Sequence, residues 1–480
     1  MAYELEIEGE GEYTLELESE PEEYTLEVEN EVVVAKGGDT PKVSGALIFD
    51  DDGNVTGSIL AVPAQYFINN PYNTSYPAAA ICLAIKTLKL DKAETVGSQA
   101  FYQCKSLTSA NLPACTSVGL NAFYYCTSLT SIDLPACTSV GSSAFSSCTS
   151  LTSANLPVCT SVGSSAFSSC KSLTSANLPA CTSVGSNAFY SCEKLETVNL
   201  PKLKTIPDGS STSNGCFYKT GLTSITLPVC TSVGKSAFSS CSSLTSANLP
   251  ACTSVGMGAF YSCEKLETVN LPKLLKIPDG SGGSYGGFQN TSLTSVDLPA
   301  CTSVGLNAFC SCKSLTSANL PACTSVGGSA FSSCSSLTSI DLPVCTSVES
   351  NAFSSCTSLT SIDLPVCTSV GMDAFYYCIS LTSIDLPACT SVGFRAFQAC
   401  YRLKAVILRN TENVATLLNT NAFDKCYHIL GTVDATYNPD GLKDGYIYVP
   451  DALVDSYKKA TNWVTYADQI KPLSELPTEA

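Results

Sequence analysis

The chain has 480 residues, only 14% of them charged, and its net charge of −17 is concentrated at one end. Residues 1–31 hold thirteen glutamates and no Lys or Arg, leaving 29 acids against 25 bases for everything after. No basic stripe with interleaved aromatics is available to nucleic acid, and no apolar run reaches the roughly 18 residues of a membrane span. Nucleic-acid binding and membrane insertion are therefore not expected.

The acidic end carries three imperfect copies of one pattern: Tyr3-Glu-Leu-Glu-Ile-Glu, Tyr13-Thr-Leu-Glu-Leu-Glu and Tyr24-Thr-Leu-Glu-Val-Glu. Strict alternation of apolar and acidic residues is the period of half-buried strands. Three short strands bury little alone, so residues 1–40 read as an acidic β segment that packs against another copy of itself or docks on a larger assembly. The opening MAYELEIEGEGEYTLELE has neither the basic start nor the apolar core of a secretory signal. Export would then rest on a trimmed precursor or on assembly into a particle released by lysis.

Residues 41–84 read as linker, hairpin and N-terminal cap. Ala46–Phe49 and Ser58–Val62 flank Asp50-Asp-Asp-Gly-Asn54, whose Asp-Gly and Asn signals favour a hairpin turn. The run is oxygen-rich, but it lacks the spacing and the closing Glu of an EF-hand.

From Ile85 to Leu403 the chain starts fifteen repeats, most of them 22 residues long. Such a period decides the architecture before any local reading. In the repeat from Leu129 to Ser150, Leu129, Ile132 and Leu134 face inward from a short strand that Pro135 ends. Cys137 and Val140 continue the apolar line, and Gly141 permits a turn. Ala144, Phe145 and Cys148 give a short helical or 3₁₀ segment an inward face. One repeat cannot bury this set, but stacked repeats can, with their strands forming a parallel sheet. The expected fold is a repeat solenoid over residues 85–426, with short helical or 3₁₀ turns opposite the sheet.

The 27 cysteines fall mainly in two columns, one after Pro and one after Ala-Phe. Each column sits where a solenoid needs a small buried side chain, so they read as buried thiols. A metal site is not expected, because there is no C-x-x-C and His428 is the single histidine.

The pattern L-x-x-I-x-L-P-x-C-x-x-V-G-x-x-A-F-x-x-C resembles the BspA-like class of leucine-rich repeats. The resemblance implies a right-handed curved solenoid used for attachment to cells, glycans or matrix proteins, and no catalytic residues. The chain departs from that pattern mainly in placing Cys so often after Pro.

Residues 427–480 read as a C-terminal cap. A strand at Tyr446 is followed by an amphipathic helix whose Leu453, Val454, Tyr457 and Trp463 cover the last repeat. Cap duty is the favoured role of Trp463.

Comparison of the repeats with one another shows where identity changes. The strand side is nearly constant as TSANLP or TSIDLP, whereas positions beside Ala-Phe vary. Tyr suits recognition, offering a large amphipathic contact at low rotamer cost. The binding candidates are Tyr124, Tyr125, Tyr190, Tyr261, Tyr376, Tyr377, Phe394, Arg395, Tyr401 and Arg402. Scattered surface aromatics that cover apolar surface are the competing reading. On the strand face, Asp341, Asp363 and Asp385 occupy equivalent places in successive repeats and should line up about 5 Å apart; solvated display is favoured over cation holding. Two longer repeats, starting at Leu195 and Leu266, carry turn-rich insertions, and insertions on one face often mark the binding face.

Catalysis needs groups with shifted pKa gathered in a concave site. One histidine and no phosphate-cradling loop argue against an enzyme, and no cofactor is called for. The sequence thus points to attachment to a cell-surface protein or glycan, in a phage or prophage tail on a virion. A bacterial surface adhesin is the alternative, and a cytoplasmic scaffold for protein partners is a third.

Overall fold

The computed structural model describes the strands at residues 2–7, 12–16, 32–35, 47–48 and 87–89, together with residues 94–209, 214–280 and 285–477. These fall into an N-terminal body, Met1–Cys230, and a C-terminal body, Thr231–Ala480.

The first two acidic copies form an antiparallel pair, β1 (Ala2–Ile7) and β2 (Glu12–Glu16), with Tyr3 opposite Leu15 and Leu5 opposite Tyr13. β3 (Val32–Ala35) pairs with the other edge of β1, and β4 (Leu47–Ile48) pairs with β3. A strand at Val32–Ala35 was not legible in the pattern. The third copy at Tyr24 and the Asp50–Asn54 turn lie outside the described residues.

Beyond residue 87 the chain is a parallel-strand β-solenoid. In the N-terminal body the Leu-x-x-Ile-x-Leu segments give stacked strands such as Ser131–Asp133, Ser153–Asn155 and Ser175–Asn177. Their register is residue for residue, Ser153 opposite Ser175 and Asn155 opposite Asn177. A second ladder of two-residue strands, Ser139–Val140 on Ser161–Val162 and so on, forms at the Ser-Val step and was not anticipated. In the C-terminal body the same two ladders run, for example, through Ser339–Asp341 on Ser361–Asp363 and Ser347–Val348 on Ser369–Val370.

The core is the repeat's apolar set. Leu129, Leu134, Cys137, Ala144, Phe145 and Cys148 are fully buried. The phenylalanines stack in a column, Phe123 on Phe145 at 5.2 Å and Phe145 on Phe167 at 5.3 Å in the N-terminal body. In the C-terminal body Phe331 sits on Phe353 at 5.4 Å with the rings 2° from parallel.

Opposite the long strands the expected 3₁₀-type bonds exist, as Ala144 N–H to Gly141 O (3.3 Å), Ser146 N–H to Ser143 O (3.1 Å) and Cys148 N–H to Phe145 O (3.1 Å). They do not join into a helix. Ser143 and Ser147 adopt left-handed φ of 53° and 62°, which turns the alternate N–H groups outward along the stack. Ser143, Phe145 and Ser147 donate to Ser164, Ala166 and Ser168 of the next turn at 2.7–2.8 Å. Every second amide therefore ties two repeats together.

Gly141 has a role other than the backbone freedom assigned to it. Its φ is ordinary, but a Cβ there would lie 2.6 Å from the carbonyl carbon of Gly119 in the preceding turn. The glycine column exists because backbones of adjacent turns touch.

The polar residues are as ordered as the apolar ones. Thr130 and Thr152 each donate a hydroxyl to the equivalent carbonyl one turn back, Thr108 and Thr130, at 2.9 and 3.1 Å. Thr138 and Thr160 do the same on the second ladder. Asn177 donates its amide to Asn155 at 2.9 Å, and Asn199 to Asn177 at 2.8 Å.

The cysteines also donate. Cys137 Sγ bonds Ser139 O at 3.2 Å, and Cys148 Sγ bonds Phe123 O at 3.1 Å. Burial pushes the Cys137 and Cys170 thiols up to about 12 and Cys159 to about 11. The columns thus hold protonated, unreactive thiols. Cys104 corrects that reading at one position: it is disulfide-bonded.

At the other end, the strand Tyr446–Val449 pairs in parallel with Ala405–Leu408, and Ile470–Pro472 pairs with Tyr446–Val449. The helix Val454–Lys459 brings in the fully buried Tyr457. Trp463, also buried, donates Nε1–H to Ala415 O at 2.7 Å. Tyr466 meets the last stacked ring, Phe423, edge-on at 5.2 Å. These contacts supply the neighbours that a further repeat would have supplied.

Candidate recognition surface

The second residue after a stacked Phe takes left-handed φ, 63° at Tyr125, 62° at Ser147 and 60° at Tyr377, and Tyr125 and Tyr377 are exposed there, whereas Ser146, Ser239, Ser354 and Ala399 beside the same column are buried. The side chains at the two positions after the Phe vary, and where tyrosines occur they gather into clusters.

The largest cluster lies at the end of the C-terminal body. Tyr376 and Tyr377 are 6.2 Å apart, and Tyr377 meets Tyr401 edge-on at 5.6 Å. Tyr401 stacks on Tyr427 at 4.9 Å and leans on Tyr437 at 4.7 Å. The Arg402 guanidinium lies over the Tyr437 ring at 5.8 Å. Burial, reinforced by Tyr377 and then Tyr427, pushes the Tyr401 phenol up to about 12, so it stays a neutral donor. Four sequence candidates, Tyr376, Tyr377, Tyr401 and Arg402, are thereby brought together with two that were missed. Tyr427 was findable, since Tyr401 and Tyr427 each follow a column cysteine. Tyr437 was not, because its loop has no repeat register.

That loop is fastened from below. Asn438, 1% exposed, donates its amide to Tyr427 O, Thr432 O and Leu442 O at 2.9–3.1 Å and accepts from Leu442 N–H at 2.9 Å. His428 bonds Asp444 through Nδ1 at 2.6 Å and Tyr437 O through Nε2 at 3.1 Å. The Tyr437 loop is therefore held in shape by contacts within the protein.

Phe394 and Arg395 serve a different contact. Arg395 reaches back to the buried Asp373 at 2.7 Å and stacks over Phe394 at 4.7 Å. Its charge is engaged within the protein.

The N-terminal body has two smaller clusters. Tyr102 stacks on Tyr124 at 5.1 Å, Tyr125 lies beside Tyr124, and Lys105 Nζ sits 5.3 Å from the Tyr125 ring centre. Tyr190 stacks on Tyr218 at 5.3 Å, with Lys219 Nζ 5.5 Å over Tyr218. In the C-terminal body Tyr261 packs on Tyr285 at 4.8 Å. Tyr285 comes from the insertion of the longer repeat, with residues 281–284 outside the described set. Each longer repeat thus contributes a ring to a tyrosine pair.

On the strand face, Asp341, Asp363 and Asp385 are direct register partners. Asp341 and Asp363 are exposed, while Asp385 is clamped by Arg409 at 2.8 and 3.1 Å. The same column elsewhere bonds Asn319 to Asp297 at 2.7 Å. Among the described residues no group of three or more His, Cys, Asp or Glu is arranged to hold a metal ion.

The model of the BspA-type leucine-rich repeat region matches residues 94–211, 210–281, 284–404 and 368–436. The chain belongs to the BspA-type leucine-rich repeat family. A solved leucine-rich repeat protein from Bacteroides ovatus is similar over 94% of this chain and 100% of its own, at 22% identity and a TM-score of 0.57. A leucine-rich cell surface protein from Faecalibacterium prausnitzii is 24% identical over 79% of this chain and 95% of its own, with a TM-score of 0.39. No curated protein matches the chain. Family and fold are those of leucine-rich repeat proteins, and no described helix is long and apolar enough to cross a membrane.

Proposed function

We propose that this BspA-type protein is a non-catalytic attachment protein whose tyrosine clusters hold a protein or glycan on the surface of a host cell. The observation that carries the reading is the platform of Tyr376, Tyr377, Tyr401, Tyr427 and Tyr437 with Arg402, assembled from three consecutive turns and a pinned loop. Rigid aromatic rings contribute contact area with little entropy to lose. The fastening of the Tyr437 loop lowers the ordering cost further. The rest of the chemistry is turned inward: His428 is engaged at both ring nitrogens, and burial keeps the column thiols protonated.

Replacing Tyr376, Tyr377 and Tyr401 together with Ser should lower binding to target cells at least tenfold. The melting temperature should stay within a few degrees, because surface positions contribute little to stability. Undiminished binding with an intact fold sinks the reading.

We further propose that residues 1–40 mount the solenoid on a larger assembly, a phage or prophage tail being the favoured one. The support is the alternation of acidic and apolar residues and the antiparallel pairing of β1, β2 and β3. Light scattering of the full chain and of a chain lacking residues 1–40 should differ in oligomeric state. An unchanged state, with unchanged incorporation into particles, removes this role.

A further inference from the structure

We infer that the N-terminal body carries a slot for a neutral oligosaccharide between Tyr190 and the Tyr124–Tyr125 pair; this rests on the attachment reading and names a ligand class for one face of it. The residues immediately after the stacked phenylalanines are Tyr102, Tyr124, Ser146, Ser168, Tyr190 and Tyr218 in successive turns. Two large side chains, two small ones and two large ones follow each other along a single column. The next position repeats the contrast, with Tyr125 followed by Ser147, Ser169 and Ser191. A ridge of rings is thus interrupted for two turns by a floor of serines.

The dimensions follow from the stack beneath. Phe123, Phe145, Phe167 and Phe189 are 5.2–5.4 Å apart in sequence, which separates Tyr124 from Tyr190 by ~15 Å, three turns of a parallel ladder. With van der Waals contact of about 3.5–4 Å at each wall, a flat ring fits against either side. Tyr190 rests one face on Tyr218, 9° from parallel, and no ring of the described residues covers its other face. That open face looks along the column toward Ser168.

Two features select the ligand chemistry. The side-chain hydroxyls of the half-buried Ser147, Ser168 and Ser169 make no hydrogen bond to another described residue, unlike the threonines of both ladders, while Ser146 lies deeper, at 7% exposure. An apolar side chain laid on this floor would deprive those hydroxyls of water and give nothing back. At the rim Lys171 is paired with Glu193 at 3.5 Å, and the Lys105 ammonium, still charged, is held over the Tyr125 ring. A saccharide ring has a flat C–H face for Tyr190, hydroxyls for the serines and no charge.

The test uses the full chain and calorimetric titration with three neutral probes: a β-1,4-linked glucose tetramer, mannotriose and an N-acetylglucosamine trimer. At least one should bind, and Tyr190→Ser should weaken it tenfold or more. Ser168→Tyr adds a ring but fills the slot, so it should weaken binding by at least as much. Melting curves should show both variants folded. Failure of all three sugars to bind, or wild-type affinity in the folded Ser168→Tyr variant, overturns the slot. If that happens while the triple tyrosine variant of the C-terminal platform still loses cell attachment, the slot falls and the attachment reading stands. Retention of cell attachment by the triple variant while a sugar binds in a Tyr190-dependent way has the opposite meaning.

Discussion

Phe331→Ala should cost about 3–5 kcal/mol of stability, the range for removing a buried aromatic ring from a packed core. Phe331 is fully buried and touches a ring on each side, Phe309 at 5.2 Å and Phe353 at 5.4 Å. Its truncation removes transfer free energy and also breaks two stacking contacts, each worth about 0.5–1.5 kcal/mol beyond burial. The neighbours have little room to collapse, because the amides of Phe309 and Phe331 are bonded to the next turn, at Ala330 O and Ala352 O. Phe101 offers an internal control. Among the described residues it stacks on one ring, Phe123, so Phe101→Ala should cost less. Chemical denaturation followed by circular dichroism measures both. A loss below about 1 kcal/mol at Phe331 would mean that the aromatic column is incidental to stability. Coupling in a stacked array runs between neighbours, so protection from hydrogen exchange should fall first in the turns flanking residue 331.

The core was legible because it is repeated. Leu129, Ile132, Leu134, Cys137, Val140, Ala144, Phe145 and Cys148 were read as inward-facing from spacing, and all are buried. The polar framework was not legible, because its partners are one turn away along the stack. Nothing local to Thr152 announces that its hydroxyl belongs to Thr130 O. Ser143 and Ser147 are unremarkable residues, yet both adopt φ values that a sequence reader reserves for Gly or Asn. The clustering at the candidate site was legible in part for the same reason. Tyr376, Tyr377 and Tyr401 stand out as departures from a serine-rich register, and they do cluster. Arg395 also stood out, but the structure gives it to the buried Asp373. Variation between repeats marks where a side chain can change; it does not say whether the new side chain meets the solvent or the protein.

The glycine column separates two physical accounts that one sequence motif permits. If Gly185 were there for backbone freedom, its φ would be positive and any side chain would be strained by conformation alone. Its φ is ordinary, and the obstacle is steric: a Cβ would lie 2.3 Å from Ser164 N and 2.6 Å from Gly163 C. Gly185 N–H is also bonded to Val162 O at 2.7 Å, so the turn cannot lift away without losing that bond. Gly185→Ala should therefore cost about 2–3 kcal/mol, the upper range for overpacking. The protein itself contains the comparison. At Gly327 the same added atom would meet Gly305 C and Leu306 N at 2.9 Å, and one turn later Glu349 occupies the glycine position outright. There the chain makes use of the side chain, since Glu349 Oε2 accepts from Gly328 N–H at 3.0 Å. Gly327→Ala should accordingly cost less than half as much as Gly185→Ala in the same denaturation experiment. Equal losses at the two sites would point back to backbone conformation as the reason for glycine. A larger loss at Gly185 makes turn-to-turn contact the quantity that the column controls.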